Sequence, residues 1–356
     1  MPDKVKVIEG WTGPGKRDSL IQLLKPIDDG LHIDRDKRGM YEWWYFDAHL
    51  NTGHKIVIFF HAANPNPGLQ GKTGIEIVLL RPDGKRTQRF FAYDRSSFFA
   101  AREKPEVTIG GNTIRVEQQE SELPVYEIYI KEKDIGCQLK FTAEVNGWKP
   151  GTGISHFGKL GKFGWVIPFA RATVKGMITN GDETIQVSGI GYHDHNWLNF
   201  PFQTIINYWM WGRIYSESYT IVFALIQCNE KVNNHIVKVL MLADGREVIL
   251  STGEFEFFSN DFEYNPKVKY KFPKRITIRE PNFLDAALNM KKVLEAQDML
   301  ENFNPTLRLI AKYILRLKPG YFRLLSNFEL EVTREGKTTQ ETGTTLHEIV
   351  LFKPVE

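Results

Sequence analysis

Apolar and polar residues alternate with a period of two through most of the chain, in runs such as "GIEIVLL", "VYEIYIKE", "CQLKFTAEV", "TIVFALIQC", "IVKVLML" and "FELEVTR". These runs are rich in β-branched and aromatic residues, which suit a half-buried pleated surface. Turn signals separate them at hairpin intervals: Asn51-Thr52-Gly53, Pro82-Asp83-Gly84, Gly110-Gly111-Asn112, Asn180-Gly181-Asp182, Asp244-Gly245 and Glu335-Gly336. The pattern predicts a mostly antiparallel β protein built as barrels or sandwiches. No strand-helix-strand rhythm and no repeat at a fixed period is present, which argues against a parallel sheet, a solenoid or a propeller.

Two stretches break the alternation. The Gly-rich segment "WKPGTGISHFGKLGKFGW", Trp148 to Trp165, reads as a loop crossing the surface or covering a cavity mouth. The segment from Asn282 to Leu317 is full of strong helix formers and reads as a helical insertion, with Asn304-Pro305 as a stop and restart before "TLRLIAKYILRL". In its second half Leu309, Tyr313 and Leu317 share one face and Arg308, Lys312 and Arg316 another, which leaves a peripheral membrane contact open beside ordinary packing on a barrel.

At 356 residues the chain is longer than one hydrophobic core normally serves, so two β domains are expected, 1–200 and 201–356. The boundary falls near Phe200, where "NFPFQT" interrupts the alternation. A net charge of only +3, with no long basic run, argues against a nucleic-acid partner. Cys137 and Cys228 lie in strand-like sequence in different halves and read as reduced core thiols. With no signal-peptide pattern and no run of about 18 apolar residues, the expected location is cytoplasmic, with any membrane contact peripheral. No nucleotide or redox cofactor motif and no Asp-rich Mg²⁺-binding run occurs, so no cofactor is expected.

The chemistry-bearing residues concentrate in two segments, "YEWWYFDAHL" (Tyr41 to Leu50) and "GYHDHNWLNF" (Gly191 to Phe200), flanked by "KIVIFFHAA" and "NYWMWGRIY". Together they read as walls of an apolar cavity with a few polar groups aimed into it. Alternation places Glu42, Trp44, Phe46 and Ala48 on one face of the first segment and Trp43, Tyr45, Asp47 and His49 on the other. In the second, Gly191, His193, His195 and Trp197 oppose Tyr192, Asp194 and Asn196. Glu42 among tryptophans is costly to bury charged. It is either a neutral acid able to donate a proton or a strand-fixing acceptor of indole or backbone N–H groups. His193 and His195 on one face suggest a metal pair completed by His49 or His61, but the spacing matches no ligand motif, so a proton relay, or a structural role, is the better reading. Arg171 and Arg213 are potential partners of Asp47 or Asp194.

"EWWYFDAHL" and "GYHDHNW", with the later "KPGYFRLLSNFEL" and "GTTLHEIVL", resemble the paired signatures of the carotenoid 1,2-hydratase (hydroxyneurosporene synthase) family and its AttH-like and decalin-forming Diels-Alderase relatives. The resemblance implies two consecutive lipocalin-like (calycin-type) β domains, a largely apolar pocket near their junction and an isoprenoid or polyene ligand. The family's His-x-Trp falls on His195 and Trp197. The strand that carries a suspected proton-donating acid in the hydratases corresponds to "YTIVFALIQ", which contains no acid. Acid duty would then fall on Glu42, Asp47 or Asp194, with His195 assisting. The substrate contacts would come from Trp43, Trp44, Tyr45, His61, His193, Trp197, Tyr208, Trp209, Trp211 and Arg213. Three functions are open: acid-initiated hydration or cyclisation of an isoprenoid alkene, cofactor-free pericyclic or isomerase chemistry on a polyene, and carriage of a lipid or pigment without catalysis.

Overall fold

The computed structural model describes residues 5–66, 69–117, 122–281, 283–300 and 319–355. They form two curled antiparallel sheets of 13 and nine strands, a barrel and a half-barrel, with only short 3₁₀ turns for helix. The fold is nearly all β, as the alternation predicts, and lipocalin-like, as the family resemblance implies.

In the first sheet the Tyr41–Leu50 strand lies between Lys55–Ala63 and Glu183–Leu198, so the two aromatic segments are direct neighbours. Their register sets His195 opposite Trp44, His193 opposite Phe46 and Asp194 opposite Tyr45. Because strand side chains alternate, Trp44, Phe46 and Ala48 enter the core of this sheet together with Trp197, while Tyr45 and Tyr192 face outward. In the second sheet Ile206–Tyr215 lies between Tyr219–Cys228 and Lys337–Leu351. Met210 and Ile214 point into a separate core around Phe223, Phe272 and Phe322. A third apolar cluster, with Trp148, Trp165, Tyr192, Val222 and Met241, joins the outer faces of the two sheets.

Residues 5–40 strap both sheets. Trp11 packs into the joining cluster, Arg17 bridges to Thr252 and pairs with Glu280, and Leu24 reaches the first core.

The expected helical insertion is corrected over its first part, where Leu284–Asp298 is a strand paired on both sides, with Tyr270–Glu280 and Gly320–Arg334. Leu284, Ala286 and Leu288 alternate into the core, a period of two inside a run of helix formers. Two flanking strands supply backbone partners that local propensity cannot anticipate. Residues 301–318, which include the basic amphipathic stretch, lie outside the described residues. No helix among the described residues is long and apolar enough to cross a membrane.

The Gly-rich segment is not an open loop. Trp148 is buried and donates from Nε1 to Ser251 Oγ at 2.9 Å, and Ile154–Phe157 pairs with Val7–Ile8 and with the start of Lys162–Asn180. Both cysteines are buried and unpaired, and burial pushes each thiol up to about 12.

Candidate functional site

The strand pairing collects an interior group of acids and imidazoles around Asp29, a residue the motifs do not contain. Asp29 ends a single 3₁₀ turn, Pro26–Asp29, closed by Gly30 N–H donating to the Ile27 carbonyl at 3.2 Å. Gly30 is needed there, because a Cβ would sit 2.0 Å from the Arg102 carbonyl oxygen. The turn delivers a carboxylate that is 1% exposed beneath the histidines of Glu183–Leu198.

His193 donates from Nδ1 to the Tyr45 carbonyl at 2.8 Å, and its Nε2 lies 3.1 Å from Asp29 Oδ2. His195 stands between two carboxylates. Its Nε2 is 2.8 Å from Glu42 Oε1, and its Nδ1 is 3.0 Å from Asp29 Oδ1, at an angle too oblique for a well-directed hydrogen bond. The Tyr126 hydroxyl donates to Asp29 Oδ2 at 2.7 Å, and Trp44 Nε1 donates to the Asp29 carbonyl at 3.0 Å. Aromatic faces close the group: Trp44 stacks on His195 at 4.4 Å, Phe46 on His193 at 3.9 Å and Trp197 on His32 at 3.6 Å.

These contacts set the charges. Burial opposes a proton on His195, but Asp29 and Glu42 outweigh it and push the imidazole up to about 9, so it is the cation at neutral pH. Burial would raise Asp29, yet His193 and His195 hold it well below the usual carboxylate range. The Tyr126 phenol is pushed far up, by burial and then by the Asp29 charge.

Glu42 is fully engaged. Besides His195 it accepts the backbone N–H groups of His32 at 2.8 Å and Ile33 at 2.9 Å, which anchors the strap to the sheet. Of the two roles the sequence leaves open for Glu42, this geometry is that of the strand-fixing acceptor.

The expected aromatic cavity between the motifs is replaced by packing, with Trp44 0% and Trp197 4% exposed. An open pocket of about 150 Å³ lies instead to one side, walled in similar parts by apolar residues, among them Leu23, Leu24, Leu123 and Pro168, and by Lys25, Glu122, Asn146 and Arg246, and it reaches Asp29 and Tyr126. Pro168 sits inside the register shift between Val166 and Phe169 in the pairing of Lys162–Asn180 with the histidine strand, where a proline is tolerated because the ladder is already broken.

The remaining predicted residues divide between other places. On the outward faces, Asp47 pairs with Arg213 of the second sheet and accepts the Tyr45 hydroxyl at 2.7 Å. Burial would raise Asp47, but Arg213 holds it low. Asp194 takes no arginine. It accepts Trp165 Nε1 and the Tyr192 hydroxyl at 3.0 Å each and Asn196 Nδ2 at 2.8 Å, and burial pushes it up to about 6 against those bonds. Arg171 pairs with Glu144.

Trp211 packs edge-on to Tyr192 at 5.2 Å. Trp43 is half-buried on the outward side, cross-strand from His61, which stacks on Phe59 and lies 3.5 Å from Glu76. Trp209 lies beside Phe352, and Tyr208 packs on the second core. His49 and His61 therefore lie on the other face from His193 and His195. Among the described residues no group of three or more His, Cys, Asp or Glu side chains is placed to hold a metal ion.

Sequence reasoning missed Asp29, His32, Tyr126 and Trp165. Pro26-Ile27-Asp28-Asp29-Gly30 signals a turn and Tyr126 reads only as a strand residue. No local spacing places Asp29 under His193, 164 positions away.

The comparisons agree with the fold. Hydroxyneurosporene dehydrogenase of Chlorobaculum tepidum is 23% identical over 230 residues, 54% of this chain, and the match spans 58% of that protein's length. A protein assigned as AttH from Nitrosomonas europaea superposes with a TM-score of 0.63 at 17% identity, over 97% of this chain and 100% of that one. Kievitone hydratase from Nectria haematococca gives 0.57 at 14% over 99% of each chain. CghA with Sch210972 gives 0.61 at 11% over 98% of each. At such identities these structures show the shared fold, in line with the AttH-like resemblance. The Svf1 family model matches residues 74–352, and the chain belongs to the Svf1 family.

Proposed function

We propose that this protein is a cofactor-independent proton-transfer enzyme, a lyase or cyclase, acting on an alkene of an isoprenoid or polyene substrate. The observation that carries the reading is the Glu42–His195–Asp29–Tyr126 chain of contacts, which begins in the buried interior and ends at a pocket of mixed apolar and polar lining. His195 stores the proton. Because its neighbours hold Asp29 well below the usual carboxylate range, a proton passed to it from His195, once the imidazole tilts to align Nδ1 with Oδ1 across their 3.0 Å contact, sits on a strong acid at the pocket.

Transfer to an alkene carbon leaves a carbocation beside the ionised Asp29. Attack by water, with its proton returning to Asp29 and on to His195, completes hydration; loss of a neighbouring proton completes isomerisation, and attack on the cation by a second alkene of the same substrate, followed by proton loss, completes cyclisation. Tyr126 orients the carboxylate and presents an aromatic ring to positive charge. In this reading the acid is Asp29, and Glu42 and His193 hold the relay in place. The leucines and prolines of the mixed lining suit the apolar part of a ligand, and the hydratase named among the structural neighbours supports the reaction class.

The test is incubation of the purified protein with acyclic carotenoids and linear terpenoids in D₂O, followed by mass spectrometry. Deuterium gained at a former alkene carbon, lost by at least ~100-fold in Asp29→Asn, is the expected result. An isomer without deuterium points to pericyclic chemistry, and a ligand co-extracted unchanged points to a carrier. Either would overturn the acid mechanism.

A further inference from the structure

A second polar site lies at the junction of the two sheets, apart from the pocket at Asp29. Here a cleft of about 20 Å³ is lined by Asp47 and Lys55 of the first sheet and by Trp211, Arg213, Arg323 and Glu348 of the second. Such a space holds a water molecule or the head of a small ion, not a ring or chain.

Two features of the lining are unbalanced. Arg213, 5% exposed, spends Nη2 on Asp47 and leaves Nη1 buried without a hydrogen-bond partner. Trp211 Nε1 is likewise buried and unpartnered, and the Arg213 guanidinium lies 5.4 Å from the Trp211 ring. A buried donor without an acceptor is destabilising, so two on residues lining one cleft call for an acceptor there.

The charges point the same way. Arg213, Arg323 and Lys55 are three cations against two carboxylates, Asp47 and Glu348, with Arg323 already bound to Glu348 at 2.7 Å. His49, also in the lining, is brought down to about 3 by burial and is neutral. The lining therefore carries one uncompensated positive charge.

We propose that this cleft binds a carboxylate, whose oxygens accept from Trp211 Nε1 and Arg213 Nη1 and whose charge neutralises the cluster. A guanidinium and an indole N–H converging on one oxyanion form a fixed, charge-assisted pair of donors. The carboxylate also ties the sheets together, since Lys55 comes from one and Trp211 and Arg213 from the other.

The experiment is a titration of the full chain with sodium acetate in low-chloride buffer at constant ionic strength, read by thermal unfolding and calorimetry. It is repeated with Trp211→Phe, which removes only the N–H, and Lys55→Met, which removes a charge. Saturable stabilisation is expected in the native protein, weakened at least ~5-fold in each variant, with the anion-free stability of Trp211→Phe unchanged or raised.

Octanoate separates the two sources of a carboxylate. Affinity equal to that of acetate assigns the site to small free carboxylates, and affinity ~10-fold tighter assigns it to a carboxylate-ended amphiphile whose chain leaves the cleft. Absence of a saturable response, or an undiminished response in Trp211→Phe, would show that the cleft holds water only and overturn the proposal.

Discussion

His195 is a cation held between Asp29 and Glu42 in an interior where its own side chain is 0% exposed. Its proton affinity rises from the ordinary 6.5 to about 9 on folding, so the folded state binds that proton more tightly than the unfolded chain. The resulting stabilisation is full below about pH 6.5 and is lost as pH rises through 9. It amounts to about 3 kcal/mol. Urea unfolding between pH 6.5 and 9 should show this decline, and His195→Gln should flatten it. Asp29→Asn leaves the imidazoles without their shared carboxylate and should cost about 3 kcal/mol at pH 7, by denaturant midpoint. Tyr126→Phe removes one hydrogen bond to Asp29 and should cost about 1–2 kcal/mol while keeping the fold, as read by circular dichroism.

Among the elements, Glu183–Leu198 is shaped by what it leaves out as much as by its histidines. At Gly191 a Cβ would sit 2.5 Å from the Phe141 ring and 2.6 Å from Val174, so Gly191→Ala should overpack the core and cost about 1–3 kcal/mol in chemical unfolding. Leu284–Asp298 shows where local preference yields to pairing. Leu288 is 1% exposed and points inward, whereas its neighbour Asn289 does not. Leu288→Ala should cost about 2–5 kcal/mol and Asn289→Ala within about 0.5 kcal/mol, a contrast that thermal unfolding would show. The helical expectation over this segment fails because residue propensities are small, a few tenths of a kcal/mol each, against hydrogen bonding and apolar burial with two strands far away in sequence.

On the scale of the whole molecule, the two sheets meet through the apolar cluster around Trp148 and Trp165 and through the Asp47–Arg213 ion pair. Because both charges are buried, removing one strands the other. Asp47→Ala should cost about 3–5 kcal/mol, whereas the double replacement Asp47→Leu with Arg213→Met should recover most of that loss. A double-mutant cycle from denaturant unfolding measures this directly. Alternation alone was enough to read the mostly β class, the facing of Trp44 with Phe46 and of His193 with His195, and the aromatic motifs that carry the family resemblance, because strand periodicity is a local property written every second residue. Tertiary structure alone decided that Asp29 sits under the histidines, that Glu42 is spent on His195 and the strap, that the tryptophans pack instead of lining a cavity, and that the pocket opens beside Tyr126. Each of these depends on register and contact between segments far apart in the chain, which no local pattern encodes.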